Sequence, residues 1–347
     1  MKLRSSWFTI DSAFIGCTSS CNLLRPFEKH LSSLRLCVLG KLYLTSKEKE
    51  ILVKLLSAMT KDGPCLAAKV PSGILIFNRA SGALAESLPA TLQAAISSDG
   101  GLKRILPLLR GVVDQADLAK AAVPESEVAI VRPFLPANVF CVGLNYREHA
   151  RESDLPLPQQ PVLFAKWTSS VTGPGDPIVL PSTTREVDYE AELAVVIGER
   201  CRKVHSEEAL NYVAGYTCMN DVSARDFQRN DGQWVRAKSQ DTFGPIGPYL
   251  VTSDEIVDPQ NLRIRCSING RILQDSNTAD MVFGVRDLIA YISQGTTLNP
   301  GDLITTGTPQ GVGVARKPQI FLKNGDDVVV EIDGIGSLQN PVVDSAS

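Results

Sequence analysis

The chain has 347 residues, enough for about two domains at roughly 150 residues each. Its 44% hydrophobic and 21% charged content is ordinary for a globular protein. With 35 Lys and Arg against 38 acids, a net charge of −3, there is no electrostatic reason to expect a nucleic-acid partner. No run of about 18 uncharged apolar residues is present, so no membrane-spanning helix is expected. The eight cysteines are scattered, without a CxxC or Cys/His cluster, which speaks against a disulfide framework or a structural zinc site.

In chain order, residues 1–45 are serine-rich and acid-poor. They carry Lys2, Arg4, Arg25, Lys29, Arg35 and Lys41 against Asp11 and Glu28. That composition suits a mitochondrial transit peptide, with an unstructured leader as the plain alternative. Thr45 to Thr60 reads as a short helix, since Ile51, Leu52, Leu55, Leu56 and Met59 recur at helical spacing. A strand over 73–77 and helical stretches at 82–97, 101–110 and 113–122 follow. Pro124, Pro133 and Pro136 then bracket a linker. The expected division is a leader with its helix over 1–63, a small N-terminal domain over 64–133 and a larger domain over 134–347.

From 134 onward the pattern becomes short strands and tight turns: 138–142, 161–165, 187–197, 302–306 and 327–332. The alternating run from Leu262 to Ile268 ends at Asn269-Gly270, a hairpin signal. The fold class expected is α+β, mainly β.

Four segments carry candidate chemistry. In 187–197, strand geometry puts Glu190 and Glu192 on one face, which continues as Ala194 and Val196; Tyr189, Leu193 and Val195 form the other. A strand apolar on both faces is buried, and two buried carboxylates call for a cation, for which oxygen ligands suit magnesium, manganese or calcium. In 220–228, a helix places Asp221, Arg225 and Gln228 on one face, either completing a metal site and gripping an anion or forming a solvated ion pair. His149 and Glu152 stand one helical turn apart, where the glutamate orients the imidazole, although such pairs also occur as surface contacts. Lys238 and the glycine-spaced loop around Thr308 complete the set. That loop lets backbone amides and a hydroxyl approach a carboxylate, and it is no P-loop because the lysine is missing.

The segments GLNYREHARE, FAKWTSSVTGPGDPI (with Lys166), VDYEAELAVVIG, NDVSARDFQ, WVRAKSQDTFGPIGP and ITTGTPQGVG, in this order, resemble the fumarylacetoacetate hydrolase superfamily over about 134–345. Residues 65–133 resemble its small N-terminal domain more weakly, and residues 1–60 match nothing in its pattern. The ending GVGVARKPQIFLKNGDDVVVEI is most similar to the animal domain-containing protein 2 group, which is mitochondrial and associated with oxaloacetate tautomerisation. The resemblance implies a rolled mixed-sheet catalytic domain, a homodimer, and Mg2+ held by Glu190, Glu192 and Asp221. It further implies substrate contacts from Lys238, Arg225, Gln228 and Thr308, and an acid–base dyad of His149 and Glu152 on a lid. The expected activity is a metal-stabilised enolate reaction on a small β-keto or diketo acid: tautomerisation of oxaloacetate, or alternatively hydrolysis of an acylpyruvate or decarboxylation. An inert metal-binding relative is the rival reading, and it predicts decay of these positions. The expected location is the mitochondrion, otherwise the cytoplasm.

Overall fold

The computed structural model describes residues 54–79, 83–115 and 118–345. The expected leader over 1–45, and the part of the expected helix before residue 54, lie outside these residues. The remainder of that expected helix is corrected: Lys54–Thr60 is a β-strand. It is paired antiparallel with Gly63–Val70 on one side and with Gly244–Thr252 on the other. Its apolar run is buried on both faces, Leu55 in one core layer and Leu56 and Ala58 in the other. A strand covered on both sides shows apolar residues at almost every spacing, which is how it passes for a helix.

Among the described residues two large sheets build the fold, beside a two-stranded ladder of Val187–Asp188 with Ser223–Ala224. The larger runs Ala122–Val123, Gly73–Ile76, Gly63–Val70, Lys54–Thr60, Gly244–Thr252, Val213–Asn220, Ala191–Ile197, Leu303–Thr305, Val139–Gly143 and Val162–Lys166. The smaller runs Arg271–Asn277, Arg263–Ile268, Asp327–Ile332, Gly336–Asp344 and Ile178–Leu180. Asn269 and Gly270, with φ of 51° and 77°, make the tight turn expected between the first two strands of the smaller sheet. This is the α+β, mainly β architecture expected.

The sheets pack face to face. Leu193, Val195, Tyr216 and Cys218 of the larger meet Ile264, Cys266, Val328 and Leu338 of the smaller in one core layer. The other face of the larger sheet is covered by helices. Leu102, Ile105, Leu109, Val112 and Val113 of Gly101–Gln115 pack there with Leu66, Ala194, Val196 and Met219. That continuous apolar stripe carries the helix through Gly111, where a break had been expected. The expected helix over 82–97 is instead two, Ala83–Glu86 and Leu92–Ser97, the second capped by Thr91, whose hydroxyl accepts from Ala94 N at 3.1 Å.

Candidate active site

Glu190 and Glu192 flank the first residue of the Ala191–Ile197 strand. The expected continuous strand is interrupted just before it, because Glu190 N donates to Asn220 Oδ1 (3.0 Å) instead of joining a ladder. Alternation survives: Tyr189, Leu193 and Val195 enter the layer between the sheets, and Ala194 and Val196 the helix-covered face. Asp221 requires a correction. It follows the Val213–Asn220 strand rather than sharing a helix with Arg225 and Gln228, and its N–H donates to Glu190 O at 2.9 Å. Only Arg225 and Gln228 lie on a helix, Arg225–Asn230. Strand pairing, not helical spacing, therefore brings the third carboxylate to the other two. Oxygens of all three lie within 4.8 Å of one another.

These groups are almost dry: Glu190 is 5% exposed, Glu192 1% and Asp221 0%. Buried charge must be paired. Lys238 Nζ reaches Glu190 and Asp221, each at 2.7 Å. Lys166 Nζ reaches Asp221 Oδ1 at 2.7 Å and also bonds the Lys238 carbonyl. Arg225 joins Glu190 (2.6 Å) to Asp188 (2.8 Å) and donates to Gln228 Oε1 (2.9 Å). Glu192 accepts instead from a neutral donor, Gly307 N at 2.9 Å.

The electrostatics follow from these partners. Burial opposes ionisation of Glu190, but Lys238, Arg225 and His149 outweigh it and hold the carboxyl at about 2. Burial and the adjacent Asp221 and Glu190 carboxylates push Glu192 well above the usual range. Burial disfavours the Lys238 ammonium, yet Asp221 and Glu190 raise its pKa. Four buried carboxylates, counting Asp188, thus face three buried cations. The donor set is all carboxylate oxygen and carries surplus negative charge, and it fits a divalent hard ion.

A cavity of about 180 Å³ opens onto this floor. His149, Arg225, Gln228, Lys238 and Thr308 line it with Glu190 and Glu192, together with apolar Val142, Leu144, Leu155, Phe164, Trp234 and Val314. His149 Nδ1 meets Glu152 Oε1 at 2.7 Å within the short helix Arg147–Glu152. Glu152 Oε2 accepts from Gly311 N at 2.8 Å, tying that helix to the glycine loop. Leu144, just before it, holds φ of 54°, a left-handed conformation uncommon for a leucine, and Asn145 braces the turn through the Thr306 and Phe283 carbonyls. The Thr308 hydroxyl donates to Ala191 O (2.9 Å) and accepts from Gln274 (2.8 Å), so its proton is already spent. A wider groove of about 860 Å³ beside Lys54, Lys69, Glu125 and Tyr249 contains none of the candidate residues.

Sequence reasoning assigned no role to four residues that build this site. Asp188 accepts from Arg225, Gly313 N and Val314 N. Gln274 joins Ala191 N to Thr308 and Pro309. Lys166 balances Asp221, and Trp234 walls the cavity. Of these, only Trp234 had a local signal: it lies four residues before Lys238, one helical turn.

The family model for the C-terminal part of fumarylacetoacetate (FAA) hydrolase matches residues 138–343. Human "oxaloacetate tautomerase FAHD2A, mitochondrial" is 50% identical over 224 residues, 64% of this chain and 71% of that protein. The Dictyostelium discoideum "fumarylacetoacetate hydrolase domain-containing protein 2 homolog" is 46% identical over 231 residues, 63% of this chain and 76% of that protein. Among solved structures, a fumarylacetoacetate hydrolase from Exiguobacterium antarcticum superposes with a TM-score of 0.72 at 35% identity, covering 84% of this chain and all of that one. A 2-hydroxyhepta-2,4-diene-1,7-dioate isomerase from Mycobacterium marinum gives 0.63 at 34% identity over 85% of this chain. The matched stretch contains every candidate site residue and the fold is shared over 84% of the chain, so the chain belongs to the fumarylacetoacetate hydrolase family.

Proposed function

We propose that this chain is a mitochondrial oxaloacetate tautomerase, working as a homodimer with a divalent ion, Mg2+ first, held by Glu190, Glu192 and Asp221. The observation that carries the reading is the three buried carboxylates converging beneath a cavity that His149 also lines. The names of the animal relatives support the activity and the location.

The ion supplies positive charge to an enolate-like transition state when bound. In tautomerisation the 2-hydroxyl loses a proton and carbon 3 gains one, so the atoms balance without water. His149, its Nδ1 engaged by Glu152, handles that proton at Nε2. Lys238 places a fixed positive charge beside the same floor, and Arg225 and Gln228 present N–H groups towards an anionic substrate. Burial keeps water from the carboxylates, Lys238 and Arg225, which strengthens their interactions.

The test follows the ultraviolet decay of enol-oxaloacetate with purified protein, with and without EDTA, and quantifies pyruvate in the same tube. Accelerated, EDTA-sensitive decay without pyruvate is the expected result. Pyruvate formation would reassign the enzyme as a decarboxylase. No acceleration in magnesium would overturn the oxaloacetate reading and direct assays to acylpyruvate hydrolysis.

A further inference from the structure

The cavity has both charged and apolar lining, and the Lys238 ammonium lies over the Phe164 ring, 5.2 Å from its centroid. The charged floor belongs to the proposed chemistry, and the indole of Trp234 has no proton to move there. Trp234 is the N-cap of the helix Val235–Lys238, and Lys238 N donates to Trp234 O at 3.0 Å. The two side chains, one turn apart, therefore share a helix face, and both line the cavity. The indole is fixed by its surroundings. Its ring meets Phe164 edge-on, with centroids 5.3 Å apart and planes at 71°. It also lies against the bare Cα of Gly143, where an added Cβ would overlap the ring, with one indole carbon at only 3.0 Å and another closer still. Gly143 has no left-handed φ to account for it, so what the missing side chain provides here is room for the indole.

A cavity of about 180 Å³ is smaller than the roughly 300 Å³ at which sites for drug-sized ligands begin. A substrate whose carboxylate and 2-oxo groups lie on the acidic floor leaves its remaining carbons to the apolar lining, in which the indole is the largest side chain. We propose that Trp234, seated on Gly143 and Phe164, is the specificity-determining residue of this site, limiting how many carbons a 2-oxo acid carries beyond its carboxylate and oxo groups. This rests on the ion-dependent reading of the floor. The site then selects short keto acids by size and turns away long-chain acylpyruvates by collision with one ring.

The test is calorimetric binding to the full chain in excess magnesium, with oxalate as a two-carbon reference and 2-oxobutyrate, 2-oxohexanoate and 2-oxooctanoate as a length series. In the parent protein, affinity should fall about tenfold or more from the shortest to the longest 2-oxo acid, the scale on which pockets reject added methylenes. Trp234→Ala should flatten that series while oxalate affinity stays within about twofold. Gly143→Ala, which displaces the ring without removing it, should change the steepness of the series; Trp234→Phe should fall between parent and Trp234→Ala. A parent indifferent to length, or a Trp234→Ala series as steep as the parent's, overturns the proposal. Should Trp234→Ala fail to fold, the Gly143→Ala and Trp234→Phe series decide, and parent-like steepness in both overturns it. Failure of oxalate to bind the parent at all would instead overturn the ion-holding floor, and so separates the two readings.

Discussion

Around Glu190, Glu192 and Asp221, charged atoms are held by several partners drawn from distant parts of the chain. Lys166 comes from a sheet-edge strand, Lys238 from a short helix and Gly307 from a loop. The Trp234, Phe164 and Leu155 side of the same cavity is held by shape, and Leu155 is 47% exposed. Removing a charge from the first region strands its partners in a dry interior, whereas trimming the second leaves space that water or a longer ligand can fill. The floor is accordingly the rigid, intolerant part of the site, and the wall is the part that can vary while the chemistry persists.

That contrast can be broken most directly at Glu192. Glu192→Ala should lower kcat/KM by about a thousandfold or more, since it removes an ion-holding oxygen, and should abolish saturable magnesium binding in calorimetry. Near-normal activity would detach the carboxylate cluster from catalysis. Lys166→Met should destabilise the metal-free protein by about 3 kcal/mol in urea unfolding, because Asp221 keeps its burial and loses an ammonium. A loss under about 0.5 kcal/mol, the scale of an exposed pair, would mean that the floor is wetter than its burial indicates.

The helix carrying His149 lies between the two regions in character. His149→Ala should cost about a hundredfold in kcat with magnesium affinity retained. Glu152→Gln should cost nearer tenfold, because it keeps an acceptor for Gly311 N but orients the imidazole less firmly. Equal losses of magnesium binding in both variants would assign this helix to ion retention instead of proton transfer. The mildest expected effect is in proton release. Burial and its carboxylate neighbours raise Glu192, so its proton competes with the ion for the same oxygens. Magnesium affinity should rise with pH, by at most about tenfold per unit for one proton, and calorimetry in buffers of different ionisation enthalpy should record proton release on binding; affinity independent of pH would count against that competition.

Much of the floor was legible because its residues sit inside regular local patterns. Period-two alternation placed Glu190 and Glu192 together, and one helical turn joined His149 to Glu152. Asp221 was grouped with the right partners for the wrong reason, since strand pairing and not a helix face positions it. Asp188 and Gln274 stayed hidden because their roles are to satisfy backbone N–H groups more than 80 residues away. No local period encodes such contacts. The Lys54–Thr60 strand was misread because burial on both faces erases the alternation that identifies a strand.

Among the described residues the Val162–Lys166 strand ends the larger sheet, with Leu163 and the following Trp167 both exposed. An open edge of this kind invites slipped pairing. Lys166 guards against it: moving the strand by a single residue against Val139–Gly143 would turn its ammonium outwards and leave Asp221 one cation short. The same contact that balances charge in the site therefore acts as a proofreading mark for assembly. A mispaired molecule would lose catalysis together with its correct edge, so specific activity would report the fraction of chains whose last strand has found its register.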